Sequence, residues 1–322
     1  MIRRGTARSG AGAWSVGDGD VEAVRDMALI FSRIDQRRGG GHARTAIVQY
    51  LTSDVAGYLG GAFASDRVRR GMFSAASEFA YLCGWMAFDN AEHALAQRYF
   101  AAAMKLAAEA DDPPMAGHIL RAMAHQGVDL GHVRRACDVA AASMDGDRYT
   151  LACPRERALL GVVHARALAA TGQRQAAAAA LIRAEDDLAA TGAGDEEPGR
   201  VFFFGEASLA HETACALRDM GDVPGSVREF QRSVRSRKAA TFTRTHAVTL
   251  GYLGAVQVRQ GSIEEACATW SSALDLMDGI RSARARQTAV DMRSMLSSFR
   301  RRGIRAAVDL DARVSSYLAV TA

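Results

Sequence analysis

One spacing recurs five times along this chain and constrains its fold more than any other feature. A small residue is followed after twelve positions by Ala or Ser, after four more by a larger apolar residue, and after three more by another small one. The copies are Gly84–Ala96–Phe100–Ala103, Ala124–Ala136–Ala140–Ser143, Ala165–Ala177–Leu181–Ala184, Ala214–Ser226–Phe230–Ser233 and Gly254–Ala266–Trp270–Ala273. The second copy lacks the bulky member. Two antiparallel helices approach closely only where small side chains meet, and a large residue one turn later fills the gap between neighbouring pairs. Between the small members lie the turn signals AFDN, VDLG, AATGQ, DMGDVPG and RQGS. Chains with this kind of internal period stack as solenoids and need no single central core.

The first small residues lie 40, 41, 49 and 40 positions apart, longer than the ~34 residues of the commonest helical repeat. The long interval contains TGAGDEEPG, residues 191–199, a polar loop. Pro113–Pro114 and Pro154 mark helix starts, and Ser262 with Glu265 has the spacing of a capping box. Ahead of the repeats, residues 1–20 are rich in Gly, Ser and Asp and are expected to be disordered. Residues 21–64 are expected to form a helical pair. Val24, Met27, Ala28 and Phe31 share one face of the first helix; Ile47, Leu51, Val55 and Leu59 follow in four-residue steps in the second. RRGGGH between them reads as a flexible link. Residues 65–280 hold the five repeats, and residues 281–322 two further helices that cap the stack. Helix is expected throughout 21–318, with no sheet.

This spacing resembles the tetratricopeptide repeat, best in YLGAVQVRQGSIEEACATWSSALDL. The resemblance implies an all-α fold: a right-handed solenoid of antiparallel helix pairs with a concave binding groove. The longer layout also resembles a bacterial regulator type: SRIDQRRGGGHA…YL, then LCGWMAFDNAEHALAQRYFAAAMKLAAEADD, then TGQRQAAAAALIRAEDDL. Those proteins join a Cro/C1-type helix-turn-helix to a tetratricopeptide sensor region, which implies control by a ligand or partner. Only some twenty residues precede the first helix here, so sequence-specific DNA binding by this chain alone is not expected.

Composition narrows the alternatives. Among 322 residues, 49% are hydrophobic and 5 are Pro, which favours helix. The net charge of +4 is too mild to imply nucleic acid. Nearly all the basic residues are arginines, and the C-terminal series from Arg281 to Arg305 (Arg284 included) reads as a solvated face. Cys83, Cys137, Cys153, Cys215 and Cys267 are odd in number and scattered, which suggests free thiols rather than a disulfide framework or zinc site. The N-terminus has no apolar signal core, so a cytoplasmic protein is expected. No metal or cofactor motif occurs, nor a catalytic fingerprint.

Transferring the groove positions of the tetratricopeptide family gives the candidate site. The first repeat supplies Glu78, Tyr81, Trp85, Phe88 and Asp89, and the second His118, Arg121, His125, Val128 and Asp129. Leu159, Val162 and Arg166 follow in the third, and Ser208, His211, Cys215, Arg218 and Asp219 in the fourth. The fifth is bland, with Val248, Gly251 and Ala255. His118, Arg121 and His125 share a helical face. With Tyr81 and Trp85 beside them, and Arg166 and His211 extending the patch, they suit a peptide, a partner protein or a small acidic ligand. Charged imidazoles would then strengthen anion binding as pH falls through ~6.5. The alternative is an enzyme or pathway accessory protein using these histidines for acid–base work. An open, solvated channel would favour binding; a deep pocket with coupled His–carboxylate pairs would favour chemistry. A homodimer is expected through the apolar faces of the terminal helices (Ile47, Leu51, Val55; Val308, Leu310, Leu318), unless those faces fold back as caps.

Overall fold

A computed structural model describes residues 15–192, 194 and 197–321; most of the expected N-terminal tail, residues 1–14, lies outside them. The repeat spacing acts through close approach. A Cβ on Gly84 would stand 2.7 Å from the Phe100 ring, and one on Gly254 2.4 Å from that of Trp270. In these two copies the bulky member seats on the small member of its own pair; Phe230 in the fourth also meets Tyr252 of the next pair, ring centroids 6.2 Å apart, as expected. Trp270 also donates from Nε1 to the Gly251 carbonyl at 2.9 Å, and Ser226 Oγ donates to the Ala214 carbonyl at 2.8 Å. In both cases a short reach across the pair satisfies a buried donor.

The first helices are α1 (Asp18–Arg38), α2 (Arg44–Tyr50), a π turn (Leu51–Val55) and α3 (Ala56–Leu59) among the described residues. The five pairs follow: α4 (Asp66–Asp89) with α5 (His93–Ala110), and α6 (Pro113–Asp129) with α7 (Val133–Ser143). A short α8 (Asp147–Thr150) leads to α9 (Pro154–Ala170) with α10 (Arg174–Ala189). A 3-10 turn (Gly199–Val201) then leads to α11 (Glu206–Met220) with α12 (Val223–Ser236), and α13 (Thr243–Gln260) with α14 (Ile263–Met277). The terminal α15 (Ala283–Arg301) and α16 (Arg305–Val320) form a sixth pair. The molecule is an all-α helical-repeat solenoid. Asp112 caps α6 by accepting from Met115 N at 3.0 Å, ahead of Pro113. Ser262 stands at the start of α14, but its side chain accepts no capping bond, so the expected capping box does not form.

Three expectations at the N-terminal end are corrected. Ser15–Val16 pairs in parallel with Ala62–Phe63, a two-residue ladder where no sheet was expected. It satisfies extended backbone between helices, and Val16 is fully buried in it. Residues 15–20, assigned to the tail, are this strand and the first turn of α1. RRGGGH is a packed seam rather than a flexible link. Arg281 N donates to the Arg38 carbonyl at 2.7 Å and Gly41 N to the Arg281 carbonyl at 2.9 Å. A Cβ on Gly39 would lie 2.4 Å from Arg281 O, and one on Gly40 2.5 Å from Met86 O. Only glycine lets these backbones touch. The seam draws the end of α1 onto α13 and the start of α15.

The apolar faces offered for dimerisation are largely used within the chain. Ile47, Val55 and Leu310 are buried, and only Val308 among them is exposed. The five cysteines are free. Among the described residues, no helix is long and apolar enough to cross a membrane.

Candidate functional site

The inner helices α4, α6, α9, α11 and α13 carry the groove positions, but α1 and the 3-10 turn close over them. The site is consequently an interior. His118, Arg121, His125, Arg166 and His211 are all at least nine-tenths buried, as is Tyr81; Trp85 is half-buried.

A polar wire crosses the first three repeats. Arg121 Nη2 donates to Tyr81 Oη at 2.7 Å and lies 3.1 Å from His118 Nε2. His118 Nδ1 lies 3.1 Å from Glu156 Oε1. Glu156 accepts two bonds from Arg200, at 2.7 and 2.9 Å, and Arg200 reaches Glu78 at 3.4 Å. Burial, reinforced by the Arg121 charge, lowers the His118 pKa to about 4. Burial would raise Glu156, but Arg200 and His118 hold it down at about 2. The imidazole is therefore neutral at pH 7. The simplest proton placement puts the hydrogen on Nδ1, facing Glu156, and leaves Nε2 to accept from Arg121.

A second group lies one turn further on. His125 packs edge-on against Trp85 and Phe88, with ring centroids 5.6 and 5.9 Å away. Arg166 bonds Asp129 at 2.6 Å and Glu212 at 3.0 Å. Arg284 bonds Asp129 at 3.1 Å and also lies 3.3 Å from His125 Nε2. Burial would raise Asp129, yet Arg166, His125 and Arg284 hold it well below the usual carboxylate range. Arg284 was expected on a solvated face; it is instead drawn inward by this carboxylate. His211 sits deeper, 2.9 Å from Thr249 Oγ1 and stacked on Tyr252 at 5.6 Å. Burial lowers its pKa to about 3. The expectation of imidazoles that charge near pH 6.5 is therefore corrected at His118 and His211. Burial strips from both most of the water that would stabilise the imidazolium.

The third group is a clamp at the seam. Arg244 bonds Asp35 at 3.0 Å and Asp89 at 3.1 Å, and Gly40 N donates to Asp89 at 2.9 Å. The supposedly bland fifth repeat thus supplies one of the most buried cations in the protein, from the first turn of α13.

Two cavities remain in this interior. The larger, about 510 Å³, is bordered by Tyr81, Trp85 and residues of α1 and the 3-10 turn. The smaller, about 70 Å³, is bordered by Trp85, Arg121, His125 and His211. His118 and Arg166 stand behind these walls and border neither. The other transferred positions scatter. Val162 is packed in the core, and Arg218 pairs with its neighbour Asp219 at 2.8 Å, away from the patch. Among the described residues, no group of three His, Cys, Asp or Glu side chains is placed to hold a metal.

Sequence reasoning missed Asp35, Glu156, Arg200, Glu212, Arg237, Arg244 and, as an interior residue, Arg284. A usable signal existed for the helical ones Glu156 and Arg244. Each stands in an inner helix with no opposite charge three or four residues away, so its counter-ion must come from another element. Arg200 and Phe203 belong to the end of the long polar interval, which folds back on the inner wall instead of serving only as a spacer.

No protein-family description matches the chain, and no curated protein does. The fold has a solved counterpart in a Rap protein crystallised in complex with competence and sporulation factor. The TM-score is 0.51 over 94% of this chain and all of that one, at 11% sequence identity. At that identity the likeness is one of fold.

Proposed function

We propose that this chain is a regulatory or adaptor protein whose helical-repeat interior binds a peptide or a segment of a partner protein. Tyr81, Trp85, His118, Arg121, His125, Arg166 and His211 form or support the contact surface. The regulator type it resembles and the ligand-bound Rap protein of similar fold both favour this reading. The observation that carries it is Arg121. This guanidinium is 2% exposed and has no carboxylate partner among the described residues. It is held instead by Tyr81, neutral His118 and the rings of Trp85 and Phe203, 5.5 and 5.9 Å from its centre. A buried cation without a counter-ion is costly, and an anionic ligand group would supply one.

The acid–base alternative draws on the enclosed His118–Glu156 pair. His118 Nε2 is taken by Arg121 and Nδ1 faces Glu156 at 3.1 Å, however, and the ring borders neither cavity. That arrangement holds Arg121 in place and keeps His118 itself away from a substrate. The test is native mass spectrometry of the purified chain for a co-purifying small ligand, followed by calorimetric titration of that ligand. Arg121→Gln should weaken binding at least tenfold. Absence of any bound species, or equal affinity in the variant, would refute the reading.

A further inference from the structure

The two interior cavities share a wall and carry opposite charge. Trp85, Phe203 and Gln36 border both. The larger chamber is walled by Asp35, Glu78, Asp112 and Glu197, with Asp26 at its edge, against only Arg25 and Arg200. The smaller is walled by Arg121, Arg237, Arg244 and Arg284 against only Glu212.

Internal pairing removes part of this asymmetry and leaves a definite remainder. In the small chamber, Arg244 is matched by Asp35 and Asp89, and Arg284 by Asp129. Arg121 and Arg237 have no carboxylate within 4 Å among the described residues, and the Nε of each is buried without a hydrogen-bond partner. Arg237 donates only to the Ala207 carbonyl and Ser233 Oγ. Burial, with nearby Arg244, pushes its pKa down to about 10. In the large chamber, Glu197 is matched by Arg155, and Asp112 is engaged by Ser74 and the start of α6. Arg200 is committed to Glu156 by two short bonds and reaches Glu78 only at 3.4 Å. Glu78 thus shares Arg200 with Glu156, has Arg25 as its other nearby cation, and is pushed up in pKa by burial. Asp35, fully buried, keeps Oδ1 without a partner. Negative charge is left over on one side of Trp85 and Phe203, and positive charge on the other.

We infer that the interior takes a short zwitterionic peptide in one orientation. Its carboxylate lies in the small chamber against Arg121 and Arg237. Its cationic end lies in the large chamber against Glu78 and Asp35, and its middle lies on Trp85 and Phe203. This rests on the peptide-binding reading above and narrows the chemistry of the ligand from acidic to dipolar. The volumes suit it. About 510 Å³ is within the range of small-ligand pockets. About 70 Å³ admits a carboxylate, one water needing only about 10–15 Å³ on the same measure.

The test uses the full chain and three synthetic mixtures of random tetrapeptides. One is free at both ends, one is C-terminally amidated, and one is N-acetylated and lacks Lys and Arg. Retention is read by affinity selection with mass spectrometry. The free mixture should be retained, with Lys or Arg enriched in the N-terminal half of the bound sequences. Either modification should lower retention at least tenfold. Arg121→Gln and Arg237→Gln, each checked for native helicity, should abolish the discrimination against amides. Glu78→Gln should abolish the preference for a cationic end and leave the amide discrimination intact. Equal retention of amidated and free peptides, or selection of acidic sequences, would overturn the dipolar assignment while leaving peptide binding standing. No retention from any mixture would overturn both.

Discussion

Two buried arginines, Arg244 and Arg121, show opposite solutions to the same electrostatic problem. Both are almost wholly removed from water. Arg244 at the seam has two carboxylates, from α1 and α4, within 3.1 Å. Among the described residues, Arg121 in the chamber wall has none, only a phenol, a neutral imidazole and aromatic faces. The first arrangement compensates its cation, with Asp35 Oδ1 to spare, and ties distant parts of the chain together. The second is complete only when something negative arrives. Burial alone therefore does not separate structural from functional charge; compensation does.

Breaking the seam should have the largest effect. Arg244→Ala leaves Asp35 and Asp89, both fully buried, without their cation. Removing one partner of a buried ion pair costs about 3–5 kcal/mol. Chemical denaturation should report a loss of that order; a loss under 1 kcal/mol would mean that the clamp is incidental. Acid should come next. The neutral imidazole of His118, with its pKa at about 4 against an ordinary 6.5, contributes stability that is fully present above pH 6.5. That contribution fades as pH falls toward 4, on the order of 2–3 kcal/mol. Asp35, raised to about 6 by burial against the pull of Arg244, works in the opposite sense. Its contribution is present below pH 3.8 and lost as pH rises through 6, so it offsets part of the decline. Denaturation at pH 7.5 and 5.0 should show lower stability at the acid end, and His118→Gln should reduce the difference without abolishing it, because His211, held at about 3, acts in the same sense. An unchanged pH dependence in that variant would assign it elsewhere.

Closer to the backbone, Gly40→Ala places a Cβ about 2.5 Å from Met86 O. The strain should cost about 1–3 kcal/mol. It should also loosen the approach of α1 to α4, visible as faster amide exchange at Gly41 and Arg281. Unchanged stability and exchange would mean that the glycine run tolerates side chains and is a link after all.

The legible and illegible parts of the sequence divide along the range of the interactions. Gly84 with Phe100, and Gly254 with Trp270, are separated by a fixed number of residues, because both members of a pair lie on one hairpin. Periodicity therefore exposes them. The inner-helix positions Tyr81, Trp85, His118, Arg121 and His125 were also reachable, since they follow from that register. What could not be read was closure. Asp35 and Arg244 lie 209 residues apart, and nothing local to RRGGGH says that it will meet Arg281. Without closure the same positions look like an open groove with titrating histidines; with closure they become an interior in which buried His118 stays neutral. The partners that define that interior, Glu156, Arg200 and Arg284, arrive from outside the groove register. One belongs to the 3-10 turn that ends an apparent spacer, and one to a helix that reads as a cap.

The smallest expected change in stability is also the most diagnostic. Arg121→Gln removes a buried positive charge that has no counter-ion, and glutamine can still hydrogen-bond Tyr81 or His118. The lost ring contacts with Trp85, Tyr81 and Phe203 cost roughly 0.5–2 kcal/mol. Relief from burying an uncompensated cation acts in the other direction. The two should nearly cancel, leaving the variant within about 1 kcal/mol of the parent in chemical denaturation. Arg244→Gln, the same chemical change at the seam, should cost several times more, because it strands two carboxylates. If Arg121→Gln were instead as destabilising as Arg244→Gln, Arg121 would be a structural cation with a counter-ion yet to be found. The small chamber would then have no unmet charge to offer a ligand. A stable Arg121→Gln protein that has lost affinity for peptide carboxylates would place its cost in the resting fold and its use in binding.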